Sequence, residues 1–318
     1  MPSLYLWFRL MTPMLGVLSC TSGQPKAPSA EAQPPAPTVT TVDMPADFSF
    51  PYDLTQPSQQ VELPPALIEV SGLSWAGEGT LAMIHDEGGV IFHLKLSDKS
   101  VQEVCRFAEK GDFEGLEIVG KSAWALRSNG SLMEVTDYLT PGFVAVRHET
   151  GINPENDSEG LGYDAAHQQL LIACKAQPKA SDFSTTERGV FSWSLRTSAL
   201  APAPRLRIKN GEIRAALLAA TTDATLREKG EKMDPEEDFQ PSSIAVHPLT
   251  GDFYLCAAAG QLLVVYGADG KLKAVKLLPK KMFPQPEGLC FDPAGTLFIS
   301  NEGKDERPAS VLQFTQQP

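Results

Sequence analysis

The 318-residue sequence is short of basic side chains, with 27 Lys and Arg against 39 Asp and Glu and a net charge of −12. Nucleic acids and anionic lipid surfaces carry negative charge themselves, so this imbalance excludes them as favoured partners. Hydrophobic residues make up 42% of the chain and charged residues 21%. This composition is typical of a globular domain with a full core, so most of the chain is expected to fold.

The sequence also lacks the common catalytic signatures. It contains neither a Gly-x-Ser-x-Gly nucleophile turn nor a phosphate-binding glycine loop. Its five histidines are scattered, and no two of them have metal-ligand spacing on one predicted element. His85, beside Asp86 and Glu87, is the one candidate for a general base, with a solvated residue at the rim of the domain as the alternative.

No apolar run near the N-terminus is long enough to span a bilayer. The stretch from Leu10 to Leu18 is short and is followed by Ser19 and Cys20, which is typical of a secretory signal. The junction resembles the lipobox of bacterial lipoproteins, although Leu18 stands where a small residue is usual. We therefore predict that residues 1–20 are a signal and lipobox segment with Cys20 lipidated; a plain cleaved signal with an incidental cysteine is the alternative.

Residues 21–47 are rich in proline among Ala, Ser, Thr and Gln. Such a segment cannot bury enough apolar surface to fold, which predicts a semi-extended tether. The folded domain is then expected to cover residues 48–318. Together these segments predict a protein of the bacterial cell envelope that is attached to the membrane through its lipid anchor only, on the periplasmic or surface side.

The remaining cysteines lie in apolar, strand-like runs without metal-ligand spacing, which favours buried free thiols. They are Cys105, Cys174, Cys256 and Cys290. An oxidising envelope would also permit disulfides, and four cysteines allow three pairings among which the sequence does not choose.

A short phrase recurs along the folded region. It reads Ser-Gly-Leu or Glu-Gly-Leu at its clearest, and the central glycines Gly72, Gly115 and Gly160 are 43 and 45 residues apart. The phrase returns with Ser243 and then Gly288 at its centre, after gaps of 83 and 45 residues. A period in the low forties is typical of the blades of a β-propeller.

Each unit continues with two further apolar runs separated by Gly, Asp or Pro turns, as in Thr80 to Ile84 and Val90 to Leu96. At the C-terminus, Val311 to Thr315 reads as a third strand without a fourth, so we expect material from residues 48–63 to complete the last blade. A helical insertion is expected near residues 209–237. The prediction is an all-β propeller in which five blades are favoured over six.

The repeated phrases resemble the SdiA-regulated propeller family of bacterial envelope proteins. The resemblance runs from about residue 48 to the end and includes Ser71-Gly72-Leu73 before His85-Asp86-Glu87, and Glu287-Gly288-Leu289 before Ser300-Asn301-Glu302. It implies an exported or membrane-associated propeller without a defined reaction. The sequence departs from the pattern at Ser242-Ser243, which replaces Glu-Gly, and at Arg127 and Ala258.

The phrase opens the innermost strand of each blade and the second strand returns antiparallel, so both contribute to one end of the channel. Carboxylates are expected to gather there and to raise one another's pKa unless a cation compensates. Oxygen ligands of this kind suit calcium. The candidate metal ligands are Asp86, Glu87, Glu114, Glu159, Glu287 and Glu302. The alternative is architectural: each Glu accepts backbone hydrogen bonds between blades, and Lys175 and Arg127 neutralise part of the ring.

Two functions remain open at this point. The first is an envelope propeller without catalysis that binds an unidentified ligand or envelope partner at its acidic face, with calcium as the candidate ion. The second is a metal-dependent hydrolase of the phosphoesterase or lactonase type with its site at the channel mouth, which rests on analogy of fold. An open coordination position beside a basic or neutral polar group would favour the hydrolase.

Replacing Cys20 with Ser is expected to release the folded domain from bacterial membranes, because the thioether-linked lipid would be its anchor. Immunoblots of membrane and soluble fractions after a carbonate wash measure this, with Ser19→Ala as the matched control. Retention of the Cys20→Ser protein in the washed membranes would show that the anchor lies elsewhere.

Overall fold

The computed structural model describes residues 48–179, 182–220 and 223–317. The predicted signal segment, Cys20 and the tether at 21–47 lie outside these residues. Strand β1 is Gln59–Glu62, and a single turn of 3₁₀ helix at Pro65–Leu67 leads into the first blade. The blades then follow one another as antiparallel sheets, four of them with four strands and the third with five.

The strand bounds of the five blades follow chain order. Blade 1 holds β2 Val70–Gly77, β3 Thr80–His85, β4 Gly88–Lys95 and β5 Val101–Ala108. Blade 2 holds β6 Phe113–Val119, β7 Ser122–Arg127, β8 Leu132–Thr136 and β9 Val144–His148. Blade 3 holds β10 Ser158–Asp164, β11 Gln169–Cys174, β12 Glu187–Ser194, β13 Ala199–Leu200 and β14 Leu206–Lys209. Helices α1 Asn210–Ala219 and α2 Ala224–Lys232 come next. Blade 4 holds β15 Ser243–Val246, β16 Phe253–Ala257, β17 Leu262–Tyr266 and β18 Leu272–Leu277. Blade 5 holds β19 Pro286–Phe291, β20 Leu297–Asn301 and β21 Ser310–Phe314.

The ring closes with an N-terminal strand. β1 pairs antiparallel with β21, with Val61 opposite Val311, and so supplies the fourth strand of blade 5. The prediction of five blades is confirmed. Closure of this kind ties the two ends of the propeller together and covers the edge of β21.

Blade 3 explains the long gap in the repeat. Its third strand β12 pairs with both β13 and β14, and the chain then enters the two helices before blade 4 begins. Ile213 and Leu217 of α1 are buried in the cluster that also contains Leu255 and Val264 of blade 4. Asp223 caps α2 by accepting hydrogen bonds from the backbone N–H groups of Thr225 and Leu226. The 83-residue gap therefore contains one blade's worth of strands plus the predicted helical insertion.

The central glycines of the phrase allow the innermost strands to pack against one another. A Cβ on Gly115 would lie 2.6 Å from Leu161 Cβ of the next blade, and one on Gly288 would lie 2.7 Å from Leu73 Cβ across the closure. The corresponding Cβ on Gly72 would lie 2.5 Å from the backbone N of Leu116. These distances are shorter than any normal contact, so only glycine, which has a hydrogen in place of Cβ, fits at each of these positions.

Blade 4 joins its neighbour differently, because serines replace the glutamate and glycine of the phrase. Ser243 Oγ accepts a hydrogen bond of 3.0 Å from the backbone N–H of Leu289, and Ser242 Oγ donates one of 2.7 Å to the carbonyl of Pro286. The Ser243 bond takes the place of the glycine contact, whereas the Ser242 bond has a counterpart in blade 1, where Ser71 Oγ donates to the carbonyl of Phe113 at 2.6 Å.

The core lies between adjacent sheets and includes all four cysteines of the propeller. Cys105, Cys174, Cys256 and Cys290 are buried and free, as predicted. Burial raises the pKa of the Cys174 and Cys256 thiols to about 12, so they stay protonated and unreactive at neutral pH. Among the described residues, no helix has the length and apolar character needed to cross a bilayer.

Gly115→Ala is expected to lower the free energy of unfolding by about 1–3 kcal/mol, because the added methyl group overpacks the contact with Leu161. Urea denaturation followed by tryptophan fluorescence measures the change. Gly142→Ala is the matched control, since nothing lies within 4 Å of a Cβ at that loop position, and its effect is expected to stay within about 0.5 kcal/mol. Equal stabilities for the two variants would contradict the close packing of β6 and β10.

Candidate functional site

The first residues of the innermost strands place three glutamates together at one end of the channel. Glu114 begins β6 after Phe113, Glu159 follows Ser158 in β10, and Glu287 follows Pro286 in β19. We call this group the acidic mouth. Glu159 is buried and the other two are partly buried, and all three are close enough for their charges to interact.

Burial and mutual repulsion raise the pKa values of these carboxyls. The pKa of Glu114 rises to about 9, because its surroundings exclude water and because Glu159 and Asp112 add negative charge. The pKa of Glu287 rises to about 8, through burial first and then through Glu159 and Glu302. The acidic mouth therefore holds protons at neutral pH unless a cation replaces them.

Each glutamate of the acidic mouth has a different side-chain partner. Lys175, just after β11, places Nζ 2.8 Å from Glu159 Oε1. Burial works against the charge of Lys175, but its pKa is raised because Glu159 holds the ammonium ion. Asp112 lies close enough to Glu114 to raise the pKa of that carboxyl further. Gln285 donates to Glu302 and also contacts Glu287.

A second acidic group lies beside the first at the ends of the second strands. Burial raises the pKa of Asp86, and the charges of Glu69 and Glu87 add to this rise. Burial also raises the pKa of Glu302, with Asp86 as the largest charge contribution. Two oxygens near these residues, Asp86 Oδ1 and Asn301 Oδ1, are buried and accept no hydrogen bond from a described residue.

The remaining sequence candidates have other contacts. Arg127 lies 5.7 Å from the centre of the Phe113 ring, in a cation–π contact at the start of β6. His85 is partly buried against Phe92, with the ring centres 6.1 Å apart. Ala258 contributes its backbone carbonyl, which accepts from Gln261 Nε2 at 3.0 Å.

The acidic mouth offers only oxygen ligands and one ammonium group. Within the described part of the chain, no three acidic, histidine or cysteine side chains are arranged to hold a metal ion. One oxygen of Glu159 is already engaged by the ammonium group of Lys175. The described residues therefore do not form a preformed calcium cage, and a bound cation would have to replace the protons that the raised pKa values place on the carboxyls.

The opposite end of the channel contains a site that the sequence reasoning missed. A cavity of about 280 Å³ lies where all five innermost strands end. The fourth position of the phrase lines it or lies beside it, and that position holds Ser74, Glu117, Gly162, Ala245 and Cys290 in the five blades. Four of these residues are small and one is a glutamate. This single exception was visible in the sequence, but its meaning depends on which mouth the position faces.

Comparisons with known proteins identify the fold only. No family model and no curated protein matches the sequence. The PQQ-bound aldose sugar dehydrogenase of Streptomyces coelicolor aligns with a TM-score of 0.51 and 9% identity, covering 82% of this chain and 98% of that one. A putative glucose dehydrogenase of Thermus thermophilus aligns at 0.47 and 13% identity, covering 81% and 99%. A streptogramin B lyase aligns at 0.44 and 9%, covering 81% and 97%. At these identities the likeness establishes a β-propeller and does not extend to chemistry.

The raised pKa of Glu114 predicts a specific pH dependence of stability. The folded pKa of about 9 lies above the usual value of 4.5, so the folded state binds the proton more tightly than the unfolded state. This contribution is complete below about pH 4.5 and is lost as the pH rises toward 9. Glu114→Gln removes the titration, so the variant is expected to gain stability relative to the native protein as the pH rises from 5 to 9.

Melting temperatures of the two proteins across this range test the prediction. Exposed Glu62 on β1 supplies the control variant Glu62→Gln, whose difference from the native protein is expected to be independent of pH. Parallel curves for Glu114→Gln and the native protein would show that Glu114 does not titrate in the folded state as inferred.

Proposed function

We propose that this propeller is a binding protein of the bacterial envelope that takes a cation at its acidic mouth, with calcium as the ion. The proposal is supported by an excess of acidic over basic side chains at the acidic mouth. Glu114, Glu159 and Glu287 converge on the channel axis, and the ammonium of Lys175 contacts one of them. A cation at this point stabilises the charged carboxylates against the burial and the mutual repulsion that otherwise keep them protonated.

The oxygens around the acidic mouth support the same proposal. Asp86 Oδ1 and Asn301 Oδ1 are buried acceptors without a hydrogen-bond donor among the described residues, and burying such atoms unpaired is costly. A hard cation is satisfied by carboxylate, amide and backbone oxygens together with water. Calcium binding would thus recruit oxygens that have no partner in the described part of the chain, in addition to the glutamates.

Binding is favoured over hydrolysis because the basic group of the acidic mouth, Lys175, is already paired with a glutamate. A hydrolase of the phosphoesterase or lactonase type needs an open coordination position beside a group that orients substrate. Lys175, the ammonium group of the acidic mouth, is bound to Glu159 at 2.8 Å and is therefore not free to orient a substrate. The phrases that resemble the SdiA-regulated propellers, together with the predicted signal and tether, support the envelope location within this proposal.

Calcium is expected to stabilise the purified folded domain, by about 2.7 kcal/mol at a hundredfold excess over the dissociation constant. For a chain of this size that is a shift of a few degrees in the melting temperature. Glu287→Gln is expected to abolish the calcium-dependent shift and to leave the melting temperature in chelator nearly unchanged, because the carboxyl, with its pKa of about 8, is mostly protonated at neutral pH when no ion is bound.

Scanning calorimetry in calcium, in magnesium and in chelator measures these shifts, with Glu62→Gln as the matched variant. Equal losses of stability in calcium and in chelator would identify Glu287 as an architectural hydrogen-bond acceptor. A native protein whose melting temperature does not respond to calcium would overturn the calcium assignment.

A further inference from the structure

The cavity opposite the acidic mouth has the shape of a ligand site. It has a volume of about 280 Å³ and receives residues from all five blades, near the lower limit of about 300 Å³ for small-molecule pockets. Its walls include the aromatic side chains of Trp75, Tyr163 and Phe291. Such a lining suits a ligand with an apolar body of roughly ten non-hydrogen atoms.

Small side chains create this space. The fourth position of the phrase holds Ser74, Gly162, Ala245 and Cys290 in four blades, and only blade 2 has a long side chain there, Glu117. Blades 3, 4 and 5 meet their neighbours without a carboxylate at this position. The propeller architecture therefore does not require a glutamate at this position. Glu117 is the one long side chain among the five equivalent residues.

Glu117 is held in place by donors from the blades on either side. Ser74 Oγ of blade 1 donates to Glu117 Oε2 at 2.8 Å, and the backbone N–H of Tyr163 in blade 3 donates to Oε1 at 3.1 Å. Ser74 Oγ in turn accepts from the N–H of Ile118 at 3.0 Å. Each carboxylate oxygen has a second lone pair, so a fixed and buried acceptor remains available to a ligand.

The other ionisable side chains of the lining include Asp164 and His247. Asp164 is buried and contacts His167 Nδ1 at 2.7 Å, while His247 lies 3.0 Å from Tyr52 Oη. Burial lowers the pKa of His247, which is therefore neutral at pH 7. Neither Lys nor Arg is among the described residues that line this cavity. No Lys or Arg of the described lining repels a cation, and the aromatic walls add cation–π attraction.

We propose that this cavity is a second ligand site, which binds a small organic ammonium ion with an aromatic or aliphatic body. The N–H groups of the ammonium donate to the free lone pairs of Glu117, and the body packs against Trp75 and Phe291. Burial raises the pKa of Glu117 to about 8, so the carboxyl is mostly protonated before binding at neutral pH. Binding of the ammonium ion converts it to the carboxylate and releases its proton to the buffer.

Isothermal titration calorimetry of the folded domain with phenethylamine at pH 7 tests the site. 2-Phenylethanol and 3-phenylpropionate are the neutral and anionic comparisons. We expect the amine to bind at least tenfold more tightly than the alcohol and the carboxylate not to bind. Titrations in buffers of different ionisation enthalpy are expected to show release of a proton at pH 7 that disappears by pH 9.

Two variants and two controls locate the site. Glu117→Gln is expected to weaken amine binding at least tenfold and to abolish proton release. Ala166→Phe narrows the cavity from an exposed turn without touching Glu117 and is expected to weaken binding as well, which keeps the test valid if Glu117→Gln fails to fold. Ala268→Phe, at an exposed turn of blade 4, and Glu62→Gln, at an exposed position of β1, are expected to bind as the native protein does.

Four results would overturn the proposal. Absence of amine binding, equal affinity for amine and alcohol, or native affinity in both Glu117→Gln and Ala166→Phe would leave Glu117 as a link between blades. Loss of binding in Glu114→Gln alone would assign the amine to the acidic mouth.

Discussion

The close approach of the innermost strands is the constraint on which the rest of this structure depends. Five strands surround one axis, and each must come within backbone contact of the next. Gly72, Gly115, Gly160 and Gly288 permit this approach because a Cβ at any of them would lie at 3.0 Å or less from the neighbouring blade. At the fourth blade, the hydroxyls of Ser242 and Ser243 bridge to the fifth. The repeated phrase in the sequence therefore reflects the need for close contact between neighbouring innermost strands.

The same packing brings charges together that the chain keeps far apart. The residue before each glycine lies at one mouth of the channel, and in three blades it is a glutamate. Because the glycines fix the distance between strands, these carboxyls cannot separate to relieve their repulsion. Lys175 contacts Glu159 and Gln285 contacts Glu287, while burial first and the remaining repulsion second raise the pKa values of Glu114 and Glu287.

The fourth residue of each phrase lies at the opposite mouth of the channel, where side-chain size rather than charge is the shared feature. Small residues keep the space open in four blades, and Glu117 alone places a carboxylate there, held by Ser74 and Tyr163. The two mouths thus differ in kind. The acidic mouth crowds several carboxyls around the axis, whereas the opposite mouth presents one oriented carboxylate within an aromatic cavity.

The sequence by itself determined the architecture, since the 43 to 45 residue period, the turn residues and the unpaired last strand predicted five blades, closure by material from residues 48–63 and helices near 209–237. It also predicted that Cys105, Cys174, Cys256 and Cys290 are buried thiols. These features are local or periodic, and periodic patterns survive in one dimension. Only the tertiary structure decided which charged groups become partners, such as Glu159 with Lys175, because that depends on side-chain packing at distances of a few ångströms. The tertiary structure also showed that Glu117 lines the cavity at the second mouth. The sequence alone does not show which mouth a strand glutamate faces, because that depends on how the five innermost strands assemble.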